Sequence, residues 1–330
     1  MNGNDQRRVP PNPVRGVPDI SQQRMINDAP TSASAVEVTP GTIRDYLRLM
    51  RPAHWLKNAF VFASLVFGKQ LTNMRSVREA LMAFGAFCFI SSAVYILNDI
   101  ADRRADAEHP KKRFRPIASG RVAVSAAIMQ LIVLVILAAA LAIYLPWQAG
   151  ACIALYGLLN LGYSFGLKHV VLIDIFIIAS GFMLRVLAGA KAIQVEASEW
   201  LVICTLFLSL FLAIAKRRSE INHLGRGETR KVLDDYTPAL VNLIMHVSVA
   251  GSIMSYTLYT VSDHAHLFFH TNKFIYTVPI VMYGIFRYLY LDEKQQVAEN
   301  PVSVILRDPS LIATGFIWAV ASILIIYLAP

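Results

Sequence analysis

Four side chains, Asn98, Asp99, Asp102 and Asp106, have the types and spacing needed to grip a cation. Asn98, Asp102 and Asp106 fall at successive i, i+4 steps, and Asp99 lies one i+3 step before Asp102. A helix through them carries an amide and three carboxylates on one face. Such a face repels itself unless positive charge sits on it. The four follow directly on an apolar helical pattern, Ala80 to Leu97, so they stand at the C-terminal end of a membrane span, where the helix dipole favours cations. Acids placed against that field point to function. Mg2+ suits them, since it takes one or two protein carboxylates and completes its shell with water and phosphate oxygens. The stretch from Asn98 to Gly120 reads as a divalent-metal and diphosphate site.

Other polar islands could serve the same chemistry. In the HPKKRFRP run, Lys112 and Arg115 adjoin the acidic face and could hold phosphate oxygens, Arg115 through its bidentate fork. His109 is either a ligand contact or a polar loop residue. In NLGYSFGLKHVVLID, Tyr163 and Lys168 flank a glycine-containing turn and Asp174 lies about one turn inside the next span. An acid at that depth is costly unless paired or hydrated; Lys168 or a metal is the expected partner, with an internal salt bridge as the alternative. Arg185, eleven residues further, falls near mid-bilayer and either neutralises an anion or pairs with a buried carboxylate. Lys57 and Asn58 sit where the first span begins, where a lysine can simply snorkel. In KRRSE, Lys216, Arg217 and Glu220 have helical spacings that could face the same cleft, whereas Asp234 and Asp235 resemble a helix cap.

The elements that must position these residues are membrane helices. The chain has 330 residues, 55% hydrophobic and only 16% charged, against about 25% charged in a soluble domain. Nine apolar segments have spanning character, near residues 56–71, 80–97, 122–145, 147–165, 170–189, 200–215, 240–261, 274–291 and 310–328. The first is short and the fourth is rich in glycine. The net charge of +9 could suggest nucleic acid, but the cations gather in loops beside apolar spans, which explains them by membrane orientation and anionic headgroups. The loops after the second and sixth spans hold most of them, so the positive-inside rule puts the N-terminus and the chemistry-bearing loops in the cytoplasm. Cys88, Cys152 and Cys204 all lie in apolar runs and suggest neither a disulfide framework nor a zinc site. Residues 1–42 are polar and aperiodic and read as a disordered tail. Residues 44–56 read as an interfacial amphipathic helix, and 43–330 as one helical membrane domain.

NDIADRRAD resembles the NDxxDxxxD pattern of the UbiA superfamily of intramembrane prenyltransferases, and RPIASG resembles the RP-small-small-G sequence that follows it there. RPAHWLKN, EHPKKRFRPI, YSFGLK, LIDIFIIASGFMLRVLAG and AKRRSE resemble the phosphoribosyl-transferring branch, and the likeness runs from Tyr46 to Pro330. The superfamily usually carries a second aspartate-rich motif between spans six and seven, where this chain has KRRSE. The resemblance implies a nine-helix, all-α bundle with a cytoplasmic-facing cavity in the plasma membrane. It implies Mg2+ on Asp99, Asp102 and Asp106, phosphoribosyl diphosphate as donor, and a polyprenyl phosphate, decaprenyl phosphate in the branch, as acceptor. Pyrophosphate would leave, and the lipid product would feed arabinan synthesis for the cell wall. Asp174 would stabilise positive charge on the ribose or bind a second metal. Lys57, Lys168, Arg185 and the Lys216/Arg217 pair would position the phosphates. The resemblance also admits a homo-oligomer. Two other readings stay open: a prenyltransferase using a prenyl diphosphate and an aromatic or other small acceptor, and a transporter or lipid-binding protein whose charges serve orientation alone.

Overall fold

The structure is a computed structural model that describes residues 41–223, 235–295 and 301–328. Nearly all of the expected tail lies outside the described residues, as do Arg226, Arg230, Lys231 and Asp234. Among the described residues the secondary structure is entirely helical. Helix α1 (Ile43–Met50) is followed by a long 3-10 segment (Pro52–Phe62), then α2 (Ala63–Phe67), α3 (Met74–Ala101), α4 (Arg103–Glu108), α5 (Val124–Ile143), α6 (Trp147–Phe165), α7 (Ile173–Ala192), α8 (Glu199–His223), α9 (Pro238–Val261), α10 (Asp263–Phe269), α11 (Val278–Gln295), α12 (Pro301–Arg307) and α13 (Pro309–Leu328).

Seven of these, α3, α5, α7, α8, α9, α11 and α13, are long and apolar enough to cross a bilayer, and the chain is a multi-pass membrane protein. The other two expected spans differ in character. Residues 56–71 divide between the 3-10 segment and the five-residue α2. The fourth is a 19-residue helix, α6, whose Asn160, Tyr163 and Ser164 carry polar groups into its last turns. Helix ends are set by local chemistry. The Asn73 side chain accepts from the amides of Arg75 and Ser76 to start α3, and Thr237 accepts from Leu240 N ahead of Pro238 to start α9. Thr237, not Asp235, is therefore that cap.

Helix α7 is central: 67% of its most apolar stretch is buried, against 17% for α5 and for α13, which face outward. It packs on α6, α8 and the 3-10 segment. Apolar side chains gain little from leaving lipid for protein, so close approach depends on small residues. Ala80, Ala83, Ala86, Ser91, Ser92 and Ala93 supply these on the buried side of α3. Gly189 supplies one on α7, where a Cβ would stand 2.0 Å from the Val61 carbonyl oxygen. That contact seats the 3-10 segment against α7 and sets the position of Lys57 and Asn58.

Candidate active site

A polar chamber of about 370 Å3 opens among α3, α6, α7, α8 and the 3-10 segment. Of the residues expected from sequence, Lys57, Asn98, Asp99, Asp102, Lys112, Arg115, Tyr163, Lys168, Arg185, Lys216 and Glu220 line it; Arg51, His54, Tyr95, Tyr156 and Asn160 join them.

The acidic ladder divides in two. Helix α3 ends at Ala101, yet the amide of Asp102 still bonds to the Asn98 carbonyl and that of Asp106 to the Asp102 carbonyl, so the turns continue into α4. Asp99 and Asp106, seven residues apart, both receive Nη1 of Arg115, at 3.0 and 2.6 Å. Arg51 Nη2 adds a second contact to Asp99 Oδ1 at 2.5 Å. Asn98 and Asp102, four residues apart, turn to α6 and the short 3-10 turn after it: the Ser164 hydroxyl donates to Asn98 Oδ1, and Lys168 Nζ lies 3.0 Å from Asp102. Asp102 is thus paired apart from Asp99 and Asp106, and no group of three His, Cys, Asp or Glu able to hold a metal occurs among the described residues. Asp99 and Asp106 nevertheless fit Mg2+. They are hard oxygen donors, both 3% exposed, already gathered about a single positive nitrogen. Two protein carboxylates are what Mg2+ ordinarily takes when phosphates complete its shell.

Several expected site residues have structural tasks instead. Asp174 is fully buried and does not line the chamber. Its Oδ2 accepts from Arg217 Nε at 2.7 Å, and its Oδ1 accepts from the Tyr236 hydroxyl at 2.6 Å. The expected partner Lys168 is taken by Asp102, so Asp174 forms the internal salt bridge and is closed off from a substrate. The hydroxyl of Tyr236, which lies outside the spans, is pushed up in pKa by burial and by its bond to Asp174. Arg217, 1% exposed, is held by Asp174, Glu220 and the Tyr163 hydroxyl; only Lys216 of the pair reaches the chamber. Asn58 is fully buried beneath it, accepting from Arg185 Nε and donating to Cys88 Sγ and Ser91 Oγ. His109 accepts the amides of Lys111 and Lys112 through Nδ1, which closes the turn that carries Lys112.

Arg185 is anchored by Asn58, the Gly181 carbonyl and the Tyr156 hydroxyl, and lies over the rings of Phe87, Tyr156 and Phe182. None of these is an anion, and no ion pair to it occurs among the described residues. A guanidinium 5% exposed and facing a chamber calls for an anionic ligand.

Arg51 and His54 fall inside residues 44–56, which the sequence presents as one continuous interfacial helix and the structure divides. Arg51 ends α1 in a left-handed conformation, at φ 51°, and Pro52 starts a different helix. The RP dipeptide was the available signal. His54 packs edge-on against Tyr95, and its pKa is lowered to about 4 by burial and by Lys57, Arg51 and Lys216, so the ring is neutral.

A second, apolar chamber of about 410 Å3 lies beside the polar one, between the 3-10 segment and α7, α8, α9, α11, α12 and α13; Lys57 and Phe182 line both. Phe60, Phe211, Tyr288 and Trp318 are among its walls.

Residues 59–299 match the UbiA prenyltransferase family. The chain is 35% identical to the decaprenyl-phosphate phosphoribosyltransferase of Corynebacterium glutamicum over 86% of this chain and 87% of the relative. It is 30% identical to the Mycobacterium tuberculosis protein of the same name over 82% of this chain and 91% of that one. The fold is similar to a UbiA homologue of Archaeoglobus fulgidus solved with geranyl diphosphate and Mg2+, at TM-score 0.64 and 18% identity, covering 86% of this chain and 98% of that one. With this length of family match and this coverage of its relatives, the chain belongs to the UbiA prenyltransferase family.

Proposed function

We propose that this protein transfers the 5-phosphoribosyl group of phosphoribosyl diphosphate to a polyprenyl phosphate, decaprenyl phosphate in its named relatives, and releases pyrophosphate. The observation that carries this reading is the pair of adjoining chambers. One is polar, lined by Asp99, Asp102 and a buried Arg185 that has no ion pair among the described residues; the other is apolar and suited to a lipid chain. They fit a water-soluble, highly phosphorylated donor and a lipid acceptor in a single enzyme.

Asp99 and Asp106 hold the diphosphate end. These two carboxylates would hold Mg2+, which would supply neutralising charge for the leaving group. Arg51 and Arg115, which occupy the carboxylates in the free protein, then turn to the diphosphate and stabilise the charge it gains as it leaves. Lys112 and Lys168 also line the chamber, and Arg185 offers its charge to the donor's other phosphate. An oxygen of the lipid phosphate forms a bond to C1 of the ribose while the bond from C1 to the diphosphate oxygen breaks. The acceptor is already anionic near neutral pH, so no strong base is needed. The Asp174–Arg217–Tyr163 chain positions α6, α7 and α8 about this space. Nine membrane crossings, with the polar chamber opening to the cytoplasm from the plasma membrane, would deliver both substrates from the correct side, and the loop cations support that orientation. A lipid-linked phosphopentose of this kind would supply arabinan synthesis for the cell wall.

The test is to incubate purified protein with Mg2+, phosphoribosyl diphosphate and a polyprenyl phosphate. A lipid-linked pentose phosphate with stoichiometric pyrophosphate is expected. Prenylation of an aromatic acceptor from a prenyl diphosphate, without pentose transfer, would overturn the reading.

A further inference from the structure

The 3-10 segment Pro52–Phe62 runs for 11 residues, where such helices usually stop after three or four. Its geometry has a consequence for substrate choice. A 3-10 helix repeats every three residues, so i and i+3 eclipse, and His54, Lys57 and Phe60 stack in one line roughly 12 Å long, at about 2.0 Å per residue. His54 faces only the polar chamber and Phe60 only the apolar one, while Lys57, midway, lines both. An α-helix would rotate each successive member of this line by about 60° and break it.

Lys57 is also distinguished by its pairing. Arg51, Arg115, Lys168 and Lys216 each lie within 4 Å of a carboxylate. Lys57 makes no hydrogen bond or ion pair among the described residues. Its neighbours on the line are a neutral imidazole and a phenyl ring, and neither compensates its charge. An unmatched ammonium at a polar-to-apolar boundary suits an amphiphile with an anionic head and a long apolar tail.

Resting on the reading of the protein as a lipid-phosphate enzyme, we infer that Lys57 is the specificity-determining residue for the acceptor, binding its monophosphate at the junction of the two chambers while the chain passes along Phe60. The donor has no apolar part and gains nothing from that junction. Its diphosphate belongs at Asp99 and Asp106, which Arg51 and Arg115 hold. Lys57 thereby separates phosphorylated lipids from the corresponding alcohols, and it does so without contacting the donor.

The test measures binding without turnover. Geranylgeranyl phosphate and geranylgeraniol, identical in their tails, are titrated into the purified full chain in detergent, with binding followed by tryptophan emission, since Trp318 lines the apolar chamber. The unmodified protein is expected to prefer the phosphate by about ten-fold or more, the range for a hydrogen bond to a charged group. Lys57→Met should bring the two affinities to within about two-fold while leaving alcohol binding intact, which also reports that the variant is folded; Lys57→Arg should restore most of the preference. Affinity for phosphoribosyl diphosphate with Mg2+, measured by calorimetry, should be unchanged in Lys57→Met. A Lys57→Met protein that still prefers the phosphate, or that loses donor affinity instead, overturns the assignment. If the unmodified protein shows no preference, the lipid-phosphate reading itself fails.

Discussion

At the scale of single residues, charge pairing decides which of many polar side chains is available to a ligand. Asp99 and Asp106 share one guanidinium nitrogen, so both carboxylates are already arranged around positive charge, as a bound Mg2+ would require. Asp99→Asn and Asp106→Asn should each reduce turnover at saturating Mg2+ by about 100-fold or more, with the thermal transition in detergent nearly unchanged. Activity within a few-fold of the parent would remove these two residues from the donor site. Asp174 belongs to a different class. Removing one partner of a buried ion pair costs about 3–5 kcal/mol, so Arg217→Met should lower the unfolding free energy by that order. Combining it with Asp174→Asn should recover part of the loss, which a double-mutant cycle would measure. His54 sets a pH dependence. Its folded pKa of about 4 lies below the ordinary value of 6.5, so its contribution to stability is fully present above about 6.5 and is lost as pH falls towards 4. His54→Phe keeps an aromatic ring against Tyr95 and should flatten the stability profile across that window, as seen by thermal unfolding at pH 7 and at pH 4.5.

At the scale of elements, the 3-10 segment is the piece whose conformation matters most, because its threefold repeat lines up both chambers. It is held by a contact that only glycine permits: a Cβ on Gly189 would enter the Val61 carbonyl. Gly189→Ala should push the segment off α7, weaken acceptor and donor binding together, and lower the melting temperature. A variant with unaltered KM for both substrates would show that the segment's seat is irrelevant. Periodicity identified most of the spanning helices, since α3, α5, α7, α8, α9, α11 and α13 each bury or expose long apolar runs. It could not identify the 3-10 helix. Apolar spacing over eleven residues does not separate three residues per turn from 3.6, and the close approach that seats the segment, Gly189 against Val61, joins residues far apart in sequence.

At the scale of the whole molecule, two chambers of opposite character meet at one lysine, and the larger is walled by helices from the C-terminal half. Gly315 faces open space there, with nothing within 4 Å of where its Cβ would be. Gly315→Phe should therefore intrude into the chamber, raising KM for a long polyprenyl phosphate several-fold while sparing a short one. Equal effects on both chain lengths would place the lipid chain elsewhere.

The sequence by itself determined the membrane class, the Asp-rich motif and most of the chamber's polar lining, because composition, helical spacing and motif chemistry are local properties of the chain. Only the tertiary structure decided how those charges pair. It turned Asp102 to Lys168 instead of towards Asp99, closed Asp174 against Arg217 and Tyr236, set Asn58 beneath Arg185, and left Arg185 and Lys57 without carboxylate partners among the described residues. The physical reason is that a charge in a membrane interior is defined by its nearest counter-charge. At this site those partners are up to 66 positions apart, beyond what any local pattern of residues can specify.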